Sequence, residues 1–590
     1  MARTRYLGPA GDIPWRQLPA SALRAVLREG YGAADLRADV LAGVVVGVVA
    51  LPLAMALAIA VGVAPQYGLY TAIVGGAVIA VLGGSRTQVS GPTAAFIVIL
   101  APIYTRFGMA GLLLSGLLAG LMLVAMALFR LGKLIEFIPY PVTTGFTAGI
   151  ATVIATLQLK DLLGLTLASN PEHFLERIGA MAEALPTFSP WELLIGVFAF
   201  AVLRLWPRLD KRIPAPLVAL PAAALLALLL GQLVPGFQVA TIASRFQTVI
   251  GGRLIDGIPQ LPPLPMLPWL QPGPGGVPFS LDFQTFRALL PGAFAVAILG
   301  AIESLLSAVV SDGMARTRHD PDSELLAQGV GNIIGPFFGA IPATGALART
   351  ATNVRSGARS PIAAVVHAVT VLAAVLALAP LLGYLPMASL AALLLLVAWN
   401  MSEAKHFLHT LRVAPHSDVA VLLACFLLTV FFDMVVGVSV GMVLAALLFM
   451  RRMAEVTQAT LTEGSHPELP GPIPEGVVVY DISGALFFGA AQKAMGVLRT
   501  IGDQAHAVVL RMDQVPAMDV SGLVALESAI AQLARKQVVA IVTGLKAQPR
   551  ALLEKAQFVR RNDAVICDDL AEALRLADLA RTPRAPASRG

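Results

Sequence analysis

The sequence predicts an all-α polytopic membrane protein of fourteen segments in two sets of seven, followed by a small α/β domain. Three observations carry this expectation. Over 590 residues only 13% are charged while 57% are hydrophobic, and the mean hydropathy is +0.77; a soluble domain carries roughly 25% charge. Apolar runs of membrane-spanning length recur through the first three quarters of the chain. After Arg452 the pattern changes to short apolar strands alternating with helical periods.

A hydrocarbon core about 30 Å thick needs roughly 20 apolar residues per helix. Candidate spans lie near 38–61, 67–82, 109–129, 140–159, 189–206, 215–234, 288–311, 325–340, 361–380, 384–400, 417–432 and 433–450. Two further stretches, near Pro92 (GPTAAFIVILAPI) and near Thr344 (TGALARTATN), are too short to cross alone. Counted in, they are the third segment of the first seven and the third of the last seven. Interrupted hydrophobic segments at matching positions of two halves point to a transporter's binding site. Both open with helix-starting chemistry, Ser90-Gly91-Pro92-Thr93 and Pro342-Ala343-Thr344-Gly345, because Pro suits the first helical turn and Gly permits close approach. If both half-helices begin near the midplane, their free N–H groups and positive dipole ends converge on one point that attracts an anion.

Charge sets the orientation. Arg86, Arg130, Lys133, Arg204 to Arg212, Arg316, Arg318, Arg355, Arg359, Lys405, Arg412, Arg451 and Arg452 fall on one side. The longest opposite loop, 235–286, is rich in Pro and Gly (PQLPPLPMLP, QPGPGG). The positive-inside rule puts the basic side, and both termini, in the cytoplasm. The net charge of +6 is therefore read as membrane topology and not as a nucleic-acid partner. The first 36 residues are mixed polar, with no cleavable signal. The expected boundaries are a cytoplasmic segment 1–36, a transmembrane domain 37–452, a polar linker 453–475 and an α/β domain 476–582, itself cytoplasmic. In that last domain VVVYDI, ALFFGA, AVVLRMD and VVAIVTG read as strands, with helices from about 490, from Ser521, near 548–556 and near 569–579.

Chemistry narrows the function. Cys425 and Cys567 cannot make a disulfide framework or a zinc site. No Walker motif and no HExxH occurs, and no enzyme, cofactor or metal is expected. Glu303 lies in the middle of the apolar run 291–310. An intramembrane carboxylate is costly and marks a functional site by default. Most other polar positions have plainer expectations: His367 as a satisfied packing histidine, Asp433 at a wet turn, Glu136 paired with Arg130 and Lys133, and His319, Asp320 and Asp322 in a cytoplasmic loop.

Several motifs resemble one family. Pro65-Gln66-Tyr67-Gly68-Leu69-Tyr70-Thr71, Gly83-Gly84-Ser85-Arg86, Ser90-Gly91-Pro92-Thr93-Ala94-Ala95-Phe96 and Gly300-Ala301-Ile302-Glu303-Ser304-Leu305-Leu306-Ser307 are similar to the SulP anion transporters. Asp312-Gly313-Met314, Glu324 with Gln328, and 346–353 (ALARTATN) extend the match, and the C-terminal part resembles a STAS domain. The runs 59–67 (IAVGVAPQY) and 397–404 (VAWNMSEA) look closest to the family's aerobic C4-dicarboxylate carriers in bacteria.

The resemblance implies a seven-plus-seven inverted repeat divided into core and gate, a homodimer in the bacterial inner membrane, and a dicarboxylate substrate (succinate, fumarate or aspartate) carried with H⁺. Sulfate or bicarbonate carriage by the same fold, an anion channel, and a signalling protein working through the STAS domain are the alternatives. It places the substrate against Thr93, Ala94, Glu303, Ser307, Gly345, Ala346 and Arg349. The proton follows from charge and not from the resemblance: an ionised Glu303 would repel a dianion and burial disfavours its charged form, so Glu303 is expected to take up the proton with the substrate. For Arg349 a role as an anchor at the cytoplasmic edge weighs as much as substrate contact. Glu303 and Ser307 stand where sodium-coupled bicarbonate members carry Asp and Thr, which speaks against a sodium site. Leu53 and Leu57 replace polar residues of some inorganic-anion members, a lean toward an organic substrate. Asp519-Val520-Ser521-Gly522 resembles the phosphorylated loop of STAS antagonists and makes Ser521 a possible phosphorylation site, although an N-cap role for its hydroxyl is favoured. A cytosolic protein partner of this domain is also implied.

Overall fold

The computed structural model describes residues 18–135, 138–168, 171, 173–210, 213–250, 253–432, 434–456, 458–463, 472–496, 498, 505–562 and 564–580. Glu136 and Asp433 lie outside them. The chain divides into two compact units, 1–442 and 443–590.

The first unit is helical. Its main elements are α1 (Ala33–Val61), α2 (Pro65–Leu82), the two-residue strand β1 (Ser90–Gly91), α3 (Ile97–Leu128), α4 (Tyr140–Leu163), α5 (Phe174–Glu183), α6 (Pro190–Leu209) and α7 (Ala215–Leu233). A long connection then carries α8 (Ile242–Arg245) and an antiparallel hairpin of β2 (Gln247–Ile250) and β3 (Arg253–Asp256). There follow α9 (Phe283–Ala315), α10 (Pro321–Ile334), β4 (Thr344–Gly345), α11 (Leu347–Arg355), α12 (Ile362–Leu382), α13 (Met387–Met401), α14 (Ala404–Val413), α15 (His416–Phe431) and α16 (Met434–Val456). Among the described residues, nine helices are long and apolar enough to cross a membrane.

α3 is two helices. Gly108 adopts φ +67° and ψ −163° in its middle, so a half-helix 97–107 is followed by a full helix 109–128. Each half of the unit therefore repeats one order: two long helices, a two-residue strand, and a short helix. α2 is not uniform either, since 71–75 winds as a π-helix.

The helices sort into two bundles whose members alternate along the chain. α3 packs on α9 and α10, α1 on α12, and α11 on α9; α4 packs on α13 and α15, and α6 on α7 and α13. Small residues permit the closest approaches, as where Gly43 and Gly47 of α1 meet Ala363, Val366 and Thr370 of α12. The first bundle corresponds to the expected core and the second to the expected gate.

The Pro- and Gly-rich connection 235–282 forms a strap between them. At one end the Ala240 N–H donates to Glu192 of α6, and its carbonyl accepts from Met387 N at the start of α13 (2.8 Å). Ile242 N donates to Leu385 O (3.1 Å). Farther on, the strap is held by the core: Gln66 of α2 donates to Thr248 Oγ1 (3.1 Å), Met266 N to Phe337 O (2.7 Å), and Met109 N and Ala110 N to Pro272 O (3.0 and 3.2 Å).

The second unit contains a five-stranded sheet in the order β5-β6-β7-β8-β9, with β5 (Gln458–Thr462), β6 (Val477–Ser483), β7 (Ala507–Gln514), β8 (Val539–Thr543) and β9 (Val565–Cys567). β5 joins antiparallel and the remaining pairings are parallel. The helices are α17 (Phe488–Gly496), α18 (Val520–Arg535), α19 (Ala547–Lys555), α20 (Phe558–Asn562) and α21 (Leu570–Leu579). β5 lies inside the stretch expected as linker, because QATLT finds an unpaired edge of β6 to join. ALFFGA is not a strand: Leu486 makes a single bridge to Met518, and Phe487 O already accepts from Ala490 N (2.9 Å), starting α17.

Candidate functional site

The two short segments meet. β1 pairs antiparallel with β4, Ser90 opposite Gly345 and Gly91 opposite Thr344. The half-helix 97–107 leads away from one strand and α11 from the other. Their N-terminal ends therefore flank a single crossing point, and the first N–H groups of each lack partners within their own helix. Converging dipole ends of this kind contribute about half a positive charge each.

A buried polar lattice builds the crossing. Glu324 of α10 accepts from Gly84 N and Ser85 N (3.1 and 3.2 Å) through one oxygen. Its other oxygen accepts from Gln88 Nε2 (2.9 Å), Gln328 Nε2 (3.1 Å) and Ser304 Oγ (3.3 Å). Gln328 also donates to Ser90 Oγ (3.0 Å). Asn332 donates to Ala343 O and accepts from Ala343 N, both at 2.8 Å, and Thr344 donates to Gly300 O (2.7 Å). These bonds fix both strands to α9 and α10.

Glu303, on α9, accepts a hydrogen bond from Thr93 Oγ1 (2.8 Å). The expected acid and the expected hydroxyl are thus in contact, beside the tip of the first half-helix. Ala94 lies in the turn that starts that half-helix, next to Thr93. Arg349, on the first turn of α11, is 2% exposed. Its guanidinium reaches across the strand pair and donates to the Pro92 carbonyl, leaving Nε and Nη1 without a hydrogen-bond partner. The cytoplasmic-edge expectation for Arg349 is corrected, since the side chain points into the crossing. No ion pair within 4 Å joins Arg349 to Glu303, but its charge acts on Glu303 electrostatically.

Three other expected positions look different in place. The Ala346 N–H donates to Val89 O (2.9 Å) and is spent on the strand pair. Ser307 is 1% exposed and donates to Thr350 Oγ1 (3.2 Å), whose oxygen accepts from Val89 N (3.0 Å); Ser307 is a brace for β1. Gly345 is packed against Gln88 and Ser304 with no room for a side chain. Gln88, Ser304 and Glu324 were not anticipated as site-building residues. The signal available was a polar pair four residues apart, Glu324 and Gln328, on one face of a helical stretch.

Gly91 adopts φ +155°, and a Cβ there would run into the Arg349 guanidinium. Gly91→Ala is expected to cut uptake by at least about tenfold, a cost of about 1.4 kcal/mol, in reconstituted vesicles. Gly179→Ala, at a position surrounded by open space, serves as the control and should leave uptake unchanged.

Elsewhere, His367 is fully buried as expected, yet neither ring nitrogen makes a well-formed hydrogen bond; it is packed but not satisfied. His319 Nδ1 contacts Asp312 Oδ2 (2.7 Å), and Asp320 caps α10 through Ser323 N (2.6 Å). Among the described residues no cluster of His, Cys, Asp and Glu could hold a metal. In the second unit the N-cap of α18 is Asp519, which accepts from Gly522 N (2.8 Å). Ser521 is therefore not the cap. Its exposed side chain lines a cavity of about 580 Å³ between α17 and α18.

Two interleaved helical bundles with paired half-helices at the centre, followed by a small α/β domain, define an anion transporter of the SulP type. The chain belongs to the sulfate permease family, whose model matches residues 36–425; a STAS domain model matches residues 470–573. YvdB of Bacillus subtilis (strain 168), provisionally named a sulfate transporter, is 40% identical over 84% of this chain and 88% of its own length. The bicarbonate transporter BicA of Picosynechococcus sp. (strain ATCC 27264 / PCC 7002 / PR-6) is 28% identical over 84% of this chain and 86% of its own. The solved transmembrane domain of a cyanobacterial BicA has a TM-score of 0.58 at 27% identity, covering 70% of this chain and 98% of that one. The fold as a whole matches the murine solute carrier 26 family member A9 anion transporter in its inward-facing state, with a TM-score of 0.82 at 18% identity over 98% and 97% of the two chains. These relatives are named for sulfate, bicarbonate or anions. The expectation of a C4-dicarboxylate, and with it the weight placed on Leu53 and Leu57, finds no support among them.

Proposed function

We propose that this protein is a secondary active transporter of small inorganic oxyanions, with sulfate as the favoured substrate, taken up together with a proton carried on Glu303. The observation that carries the reading is the contact of Glu303 with Thr93 at the point where both half-helix tips and the Arg349 guanidinium converge.

Charge matching explains the coupling. Arg349 supplies one positive charge and the two helix ends together about one more. An ionised Glu303 cancels one of these, leaving too little for a dianion. A protonated Glu303 leaves a site that matches sulfate's two negative charges. A singly charged bicarbonate would match the ionised site without any proton, and the similarity to BicA keeps this as the second reading. Engagement of Ser307 by Thr350 supports the view that no sodium is held there. The core bundle, carrying both tips, would move against the gate to expose the site alternately. We place the protein in the bacterial inner membrane with cytoplasmic termini, as a homodimer, with the STAS domain and Ser521 available to a cytosolic partner or kinase.

Uptake into proteoliposomes of sulfate, bicarbonate and succinate, at two pH values and with or without Na⁺, tests the reading. Sulfate uptake stimulated by an inward proton gradient and indifferent to Na⁺ is expected. Bicarbonate uptake without proton movement would favour the second reading, and saturable succinate uptake that sulfate fails to inhibit would overturn both.

A further inference from the structure

Far from the crossing, a cavity of about 570 Å³ opens where α1, the half-helix 97–107 and α4 all end. It is lined on the core side by Ile59 to Gly62, by parts of 101–109 and by the strap's Pro272 to Gly276. On the gate side it is lined by Leu157 to Asp161 (Leu159 excepted) and by Arg177. Both bundles thus share it, on the face opposite the basic loops.

Three helix C-termini face this space, and each carries about half a negative charge. Left alone, they would repel an approaching anion. The cations come from the gate side, Lys160 of α4 and Arg177 of α5, with Arg245 of the strap acting on the same group; Asp161 and Glu192 oppose them. Arg177 is tied to the Pro171 carbonyl (2.8 Å). Lys160 differs: among the described residues its ammonium has no hydrogen-bond or ion-pair partner. An unclaimed ammonium in a cavity walled by both bundles is placed to hold a passing ion.

We propose that this cavity is an outer collecting site for oxyanions, with Lys160 as its principal ligand. It rests on the transport reading above and adds a second binding station to it. The gate holds the collecting charge in place, while the core, which supplies only apolar groups and the hydroxyls of Tyr104 and Thr105 on its side, moves past it. Asp161, adjacent in sequence, lowers the collecting power, so removing each charge should act in opposite directions. A cation serving only the α4 dipole would give no such opposition.

The experiment is initial-rate uptake of external sulfate by right-side-out vesicles at low ionic strength. A single charge at this range acts on a dianion with an effect of about three- to fivefold. Lys160→Gln should raise KM by that factor with kcat unchanged, Lys160→Arg should restore it, and Asp161→Asn should lower KM. The effect of Lys160→Gln should fade in 0.5 M salt, about five times the ionic strength at which the screening length is about 10 Å. An unchanged KM in Lys160→Gln, or a fall in kcat together with the thermal midpoint, overturns the collecting site. Wild-type vesicles that take up no sulfate would instead overturn the transport reading.

Discussion

Glu303→Gln is expected to uncouple sulfate movement from protons while leaving the protein folded. Gln keeps the shape and can still accept from Thr93, but its charge can no longer change. In wild-type proteoliposomes an inward gradient of one pH unit should drive about tenfold accumulation of sulfate for each proton carried, since one pH unit corresponds to about 1.36 kcal/mol. In the variant that accumulation should vanish, leaving downhill exchange that does not respond to pH. A pH-sensitive dye trapped in the vesicles gives the second readout, and a proton flux undiminished in the variant would remove Glu303 from the mechanism.

Glu324→Leu should do the reverse, destroying the fold of the site before any question of coupling arises. Glu324 is 1% exposed and satisfies five donors: Gly84 N, Ser85 N, Gln88 Nε2, Ser304 Oγ and Gln328 Nε2. A buried donor stripped of its acceptor costs about 1–3 kcal/mol. Even with partial re-pairing among Gln88, Ser304 and Gln328, a loss of about 3–5 kcal/mol is expected, comparable with breaking a buried charged contact. It would be seen as a clear fall in the thermal-unfolding midpoint in detergent, with uptake lost. A midpoint equal to that of the wild type would mean that the lattice does not hold the crossing together. The two glutamates, both on helices of one bundle, thus separate cleanly: one changes coupling at constant stability, the other stability first.

The segments of this fold were legible because hydrophobic length is written directly in the chain. The half-helices were legible too, since Ser90-Gly91-Pro92 and Ala343-Thr344-Gly345 interrupt apolar runs with residues that start helices and allow close backbone contact. Glu303 stands out as a carboxylate in an apolar run, whereas Thr93 enters only through the family resemblance; the contact between them is what the structure adds. The rest depended on partners distant in sequence. Nothing local in Ser307 says that its hydroxyl is taken by Thr350, 43 residues on, or in Ala346 that its N–H is taken by Val89 in the other half of the unit; only the tertiary pairing decides it. The β2–β3 hairpin did carry a local signal, QTVI and RLID separated by Gly251-Gly252, a two-residue loop of hairpin type. Its place inside a stretch rich in prolines masks that signal. ALFFGA failed for the opposite reason, because its apolar run suits a strand but the chain turns into α17 after one bridge.

The strap sets a mechanical ceiling. Its gate-side anchor is Ala240, bonded to Glu192 and Met387, while Ala243 is bonded to Gly383 at the end of α12 and so already belongs to the core. The three residue steps between them reach at most about 3.6 Å each. That leash is about 11 Å long, about a third of the thickness of the hydrocarbon layer. A stroke larger than this must first break one of these bonds, so in the rocking motion proposed above the length of one short loop bounds the travel of the core.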